Sequence, residues 1–165
     1  MIADCQKIGY NKINPYHSLN NVLKEVKKHQ PDILLVTGDI SGDSSNQSYQ
    51  HFSHLLQEIN IDCIKGVIPG NHDNPTHLKA TISNEYFWQH KALKNRWHLH
   101  LVDTQFQGTK GNISTDSLTS LTTHVSTYNG EFHLIASHHH PIPETRSGPD
   151  RLELDSVGRS LTVQL

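Results

Sequence analysis

What is scarce in this sequence narrows its class before any motif is read. It has two cysteines, Cys5 and Cys63, which make neither a zinc spacing nor a disulfide scaffold and read as free thiols in a reducing compartment. No apolar run approaches the length that crosses a bilayer. Met1-Ile2-Ala3-Asp4 lacks the basic and apolar segments that open a signal peptide, so the cytoplasm is the expected location. Charge is sparse and nearly balanced, with 14 Lys and Arg against 16 Asp and Glu for a net charge of -2. That leaves no basic footprint for nucleic acid and no polybasic membrane patch. A small anionic substrate would need a local positive centre, and a bound metal is one. Nothing in the composition speaks to oligomeric state.

Histidine is what the sequence has in quantity: 14 residues, as many as Lys and Arg together. At 165 residues the chain is long enough for one domain with a real core. Asn14-Pro15 opens an expected helix, with Leu19, Val22, Leu23 and Val26 at helical spacing. Ile33-Leu34-Leu35-Val36 reads as a strand buried on both faces. A second helix carries Tyr49, Phe52, Leu55, Leu56 and Ile59 on one face, and a second strand spans Cys63 to Ile68. Trp97, Leu99 and Leu101 alternate with His98 and His100, the pattern of a strand with one wetter face. Gly108 and Gly111 bracket a turn. Ser114 is placed to cap a helix that turns Leu118, Leu121 and Val125 inward, and Phe132–Ala136 reads as the final strand. Strands alternate with helices, which predicts a layered α/β domain.

Predicted strands end in metal-competent side chains at Asp39, Asn71 and His138, and in layered α/β proteins sites gather at the carboxyl ends of strands. Each has a plainer reading. An Asp after a strand is as often a turn or capping residue. As a ligand, Asp39 would bridge two cations, which at about 3.5–4 Å apart need an anion between them. Gly70-Asn71-His72-Asp73 has the composition of a polar turn. In the functional reading Asn71 ligates through its neutral amide oxygen. His72 faces the substrate, to steady phosphoryl oxygens or protonate a leaving group, and Asp73 orients His72 or pins the loop. His138-His139-His140-Pro141 is a solvated loop or a source of one imidazole ligand. His138 lies nearest the strand end, and His139 is the alternative.

Taken in order, Gly38-Asp39, Gly70-Asn71-His72-Asp73 and the strand-terminal His resemble the middle motifs of calcineurin-like metallophosphoesterases. The branch that includes bacterial 3',5'-cyclic-AMP phosphodiesterases is similar in Gly38-Asp39-Ile40-Ser41 leading to Ser48-Tyr49-Gln50-x-Phe52. It is similar again in Leu101-Val102-Asp103-Thr104, in Gly111-Asn112-Ile113-Ser114 and in His138-His139-His140-Pro141-x-Pro143. The resemblance runs from Asp4 to about Pro143 and implies a single domain over residues 1–165. The implied fold is a four-layer αββα sandwich of two mixed sheets.

The resemblance also implies a dinuclear centre of divalent ions (Fe, Mn or Zn), with Asp4, Asp39, Asn71 and His138 as metal ligands. His72 is then the catalytic residue, and Asn71, His72 and His138 contact the substrate. The implied reaction is hydrolysis of a small phosphodiester, 3',5'-cyclic AMP or a related cyclic nucleotide, by a metal-bound hydroxide, with no nucleic-acid or membrane partner. Two departures stand out. Gln6 occupies the His position of the family's opening Asp-x-His, and the closing Gly-His-x-His does not occur in the chain. The expectation is therefore a domain incomplete at both ends that retains one of the two ions. The alternative is a catalytically inactive fragment or degenerate homologue that binds one metal or phosphate weakly. If substitute ligands exist, His17, His77 and His90 are the first to consider.

Overall fold

The computed structural model describes residues 13–141 and 153–154. Its contacts divide the chain into two compact units, Met1–Phe87 and Trp88–Leu165.

In the first unit, helix α1 (Pro15–Lys28) starts where Asn14 accepts the His17 N–H and Pro15 occupies the first turn. Leu23 is buried, with Leu19 and Val26 packed partly against the same core. Val22 is 56% exposed, so the inward-facing stripe is narrower than the spacing suggested. Strand β1 (Ile33–Val36) pairs in parallel with β2 (Ile64–Val67), in a register that sets Ile33 against Ile64. All four β1 residues are half-buried, which corrects the expectation of a strand covered on both faces.

Helix α2 (Asn46–Ile59) begins at Ser45, whose hydroxyl accepts the Ser48 N–H, and ends at Asn60 in the left-handed conformation. Tyr49, Phe52, Leu55, Leu56 and Ile59 are all buried on its inner face, as the spacing predicts, each stabilising the fold by roughly 1.5–3 kcal/mol. Lys27 Nζ donates to the Ile59 carbonyl at 2.5 Å, tying α1 to a helix end that favours a cation. Helix α3 (Pro75–Thr81) is capped by Asn74 and buries Leu78.

In the second unit, β3 (His90–Ala92), β4 (Trp97–Val102) and β7 (Phe132–Ser137) form one sheet in that order, antiparallel then parallel. Helix α4 (Thr115–Thr127) makes the crossover between β4 and β7 and is capped by Ser114. Leu121 is buried, while Leu118 and Val125 are half-buried. The expectation of one wetter face along β4 is corrected, because Leu99 and Leu101 are buried on one side and the histidines on the other. His98 and His100 are buried at 3% and 1% exposure, whereas Trp97 is 43% exposed. The histidine face lies against α4, where His124 comes within 4.2 Å of the His90 ring. The other face carries Trp97 stacked on Phe132, with Phe132 and Leu134 exposed.

A second small sheet joins β5 (Gln105–Gln107), β6 (Lys110–Gly111) and β8 (Glu153–Leu154). Phe132–Ala136 is therefore not the last strand. Gly111 is required on β6 because a Cβ there would overlap the Cβ and ring of His139.

Candidate active site

Two loops of the first unit, following β1 and β2, carry most of the candidate residues. The chain leaves β1 through Gly38 at φ 103° and Asp39 at φ 55°. A left-handed Asp costs conformational energy and persists only where its surroundings hold it. Here the His72 N–H donates to Asp39 Oδ1 at 3.2 Å. The carboxylate of one loop therefore meets the backbone between Asn71 and His72 in the other. Ser44 Oγ adds a second link by donating to the His72 carbonyl at 2.8 Å.

Asp73 is the brace beneath them. It is buried, and its carboxylate accepts the N–H groups of Ile40 (3.1 Å), Ser41 (2.9 Å) and Gly70 (2.9 Å) together with the Tyr49 hydroxyl (3.3 Å). A buried carboxylate is tolerated when donors surround it in this way. Tyr49 reaches up from α2 and also accepts the Asn74 N–H at 2.7 Å. Burial pushes its hydroxyl up to about 12, so it stays a donor through the working pH range. Of the two roles the sequence left open for Asp73, the structure gives it the pinning of the loops.

Asp43 organises the next turn. Its Oδ1 accepts from Ser41 Oγ, the Ser45 N–H and Ser48 Oγ at 2.9, 3.0 and 3.0 Å. Burial raises its carboxyl, but these bonds outweigh that and hold it at about 2. Sequence reasoning passed over Asp43. The signal was the cluster Ser41-Gly42-Asp43-Ser44-Ser45, where short polar side chains bond the local backbone.

In the second unit, His138 follows β7 and is half-buried, with its ring edge-on to His139 at 4.9 Å. His139 is fully buried. Its N–H donates to Thr104 Oγ1 at 3.2 Å, and its Nδ1 stands 2.8 Å from the same oxygen. That commits His139 to the fold and leaves His138 as the more accessible imidazole. Among the possible substitutes, His77 Nδ1 contacts the Ser44 carbonyl and His90 Nε2 contacts His98. Asp4 and Gln6 lie outside the described residues.

The structure thus brings Asp39, Asn71 and His72 together in one place, with His138 at the end of a strand in the other unit. Asp39 and Asn71 supply a carboxylate and an amide oxygen, donors that divalent ions accept. Among the described residues, no group of three His, Cys, Asp or Glu side chains forms a metal cluster. The donor set present there fits part of a metal centre, not a complete one. Also among the described residues, no helix is long and apolar enough to cross a membrane.

The helices and mixed sheets, with candidate ligands in loops that follow parallel strands, are consistent with an α/β phosphoesterase class. Comparison with known families makes this definite: the calcineurin-like phosphoesterase model matches residues 1–161, and the chain belongs to that family. It is 30% identical over 160 residues to a probable cyclic nucleotide phosphodiesterase of Vesicomyosocius okutanii, covering 94% of this chain and 66% of that protein. To the 3',5'-cyclic adenosine monophosphate phosphodiesterase CpdA of Escherichia coli K12 it is 28% identical over 156 residues, covering 92% and 56%. To a probable glycerophosphodiester phosphodiesterase of Arcobacter nitrofigilis it is 29% identical over 175 residues, covering 96% and 60%. The chain spans between about half and two thirds of the length of these curated relatives. Members of the family use divalent metal ions.

Proposed function

We propose that this chain carries the central part of a metal-dependent phosphodiesterase whose substrate is a small phosphodiester, 3',5'-cyclic AMP or a related cyclic nucleotide. One observation carries the reading. The buried Asp73 carboxylate clamps the backbone of Ile40, Ser41 and Gly70, and so fixes the loops bearing Asp39 and Asn71-His72 against each other. A polypeptide that needed only a turn after each strand has no use for so costly a buried charge.

In this reading Asp39, Asn71, His138 and Asp4 hold divalent metal (Fe, Mn or Zn). When bound, such ions neutralise phosphate charge and acidify an attacking water. Asn71 contributes a neutral oxygen, which limits the negative charge gathered near the phosphate. His72 is exposed with its backbone anchored at both N–H and C=O, so its imidazole projects from a fixed point toward the substrate. It protonates the leaving oxygen or steadies the phosphoryl group. His138 supplies a further ligand and a phosphate contact.

The incomplete donor set among the described residues favours a second reading, in which the chain holds one ion weakly and hydrolyses little. Metal content and turnover of bis-p-nitrophenyl phosphate and cyclic AMP, with and without manganese, separate the two. Stoichiometric metal with manganese-dependent turnover supports the enzyme. Metal without turnover supports the second reading, and neither metal nor turnover in a folded chain overturns both.

A further inference from the structure

Outside the candidate site, the most unusual feature is a stack of imidazoles between the β3–β4–β7 sheet and α4. His90, His98, His100 and His133 come from the three strands and His124 from the helix. The rings of His90 lie 5.2 Å from His98, 5.0 Å from His100 and 4.2 Å from His124, and His133 lies 5.1 Å from His98 and 5.3 Å from His100. Tyr128, just past α4, stacks on His98 at 4.2 Å. The proton on each ring follows from the groups at the ends of two hydrogen-bonded chains. Glu131 Oε2 can only accept, so His98 Nε2 donates to it (2.7 Å), and His98 Nδ1 must accept from His90 Nε2 (2.9 Å). The Tyr128 carbonyl likewise takes the His133 Nε2 proton (3.3 Å), so His133 Nδ1 accepts from His100 Nε2 (3.0 Å). His124 Nδ1 donates to the Ser120 carbonyl at 2.8 Å. Each of these bonds is one that a neutral imidazole can make.

This wiring leaves little room for an added proton. A proton on His98 Nδ1 or His133 Nδ1 would turn an acceptor into a donor and force His90 or His100 to change tautomer. One on His90, His100 or His124 would place a cation within ring-stacking distance of other imidazoles. The opposing charges are few. Glu131 is bonded to His98, Arg96 beside it donates to the Gly130 carbonyl, and Lys91 lies over Trp88 on the opposite side of β3. Burial first, then the neighbouring histidines, pushes His100 down to about 4 and lowers His90 in the same way. Each of the five rings can take up a proton as pH falls.

We propose that the histidine stack is a proton-operated latch, which holds α4 on the sheet while neutral and releases it when the rings are protonated under mild acid. The latch stands independently of the phosphodiesterase reading. Linkage fixes its sign. The released state binds protons near the ordinary imidazole range of about 6.5 and the latched state binds them lower, so latching weakens as pH falls through that window.

The test is amide hydrogen exchange on the full chain at pH 7, 6 and 5, corrected for intrinsic rates. Residues 115–127 should lose about tenfold or more of their protection between pH 7 and 5, since a ring held at about 4 that titrates near 6.5 when released gives about twentyfold over that interval, while residues 46–59 keep theirs. His100→Leu, which removes a titrating ring, should cut that loss to about threefold or less. Unchanged protection over α4, or an equal loss in both segments, overturns the latch. If His100→Leu does not fold, ring-carbon NMR titration of the unaltered chain decides. His90 and His100 titrating below free imidazole, in step with the loss of α4 protection, supports the proposal. Titration with no change in exchange overturns it.

Discussion

The two units bury polar groups in opposite ways. In the first, Asp73 is a carboxylate surrounded by backbone N–H donors that have nowhere else to go. In the second, two hydrogen-bonded histidine pairs, His90–His98 and His100–His133, stack with His124 as neutral rings, and His98 alone meets a carboxylate, Glu131. The first assembly is stable because it is charged, the second because it is not. A charge held by fixed amides makes a rigid platform, which suits a site that must keep Asp39 and His72 in register. A neutral stack makes a support that a modest change of pH can undo. The contrast predicts where the molecule is stiff and where it gives.

Removing function from the rigid side without loosening it should have the largest effect. His72→Ala is expected to cut manganese-dependent turnover by roughly 10²–10⁴, the usual worth of a positioned acid or base, with metal content unchanged. Loss of metal in that variant would move His72 into the ligand set. Loosening the same side should come next. Asp73→Ala leaves the amides of Ile40, Ser41 and Gly70 buried without their acceptor and should destabilise by about 3–5 kcal/mol in urea unfolding. If it costs under about 1 kcal/mol, the brace is not what holds the loops.

Acid should separate the two units in a set order. His100, held down to about 4, is less basic folded than unfolded, so its stabilising effect is complete above about pH 6.5 and is lost as pH falls toward 4. Asp43, held at about 2, keeps its effect above its ordinary carboxylate range and loses it only as pH falls through 2. Both tryptophans, Trp88 and Trp97, lie in the second unit. Their fluorescence should therefore change at higher pH than the exchange of residues 46–59. A single coincident transition would erase the contrast. The smallest effect should come from Tyr49→Phe, which removes one donor to Asp73 and the acceptor of the Asn74 N–H, for about 1 kcal/mol.

Helix starts and core faces were legible because their signals are local. Asn14-Pro15 and Ser114 cap where their side chains predict. Tyr49, Phe52, Leu55, Leu56 and Ile59 form one buried face of α2, since only a 3.6-residue period aligns them. The Gly-Asn-His-Asp turn was legible as a polar loop after a strand. The role of Asp73 was not, because two of its donors, Ile40 and Ser41, sit 33 and 32 residues away. Period two along β4 suggested one wetter face, but both faces are buried from His98 to Val102. His98 and His100 look polar in a sequence, yet imidazoles that stack and bond to one another pack as core. Trp97 looks like core and is half-exposed beside Phe132.

The parallel pairings also bear on how the chain finds its structure. Ile33 meets Ile64 and Trp97 meets Phe132, so both pairings close only after about thirty residues or more of intervening chain are brought round. Contacts so distant in sequence cost loop entropy before they return anything. They place refolding in the millisecond-to-second range typical of topologies rich in long-range contacts. During that interval the apolar side of β7, with Phe132 and Leu134 still 54% and 48% exposed in the finished fold, is available to neighbouring molecules. Refolding yield should therefore fall with protein concentration, and dilution should recover it.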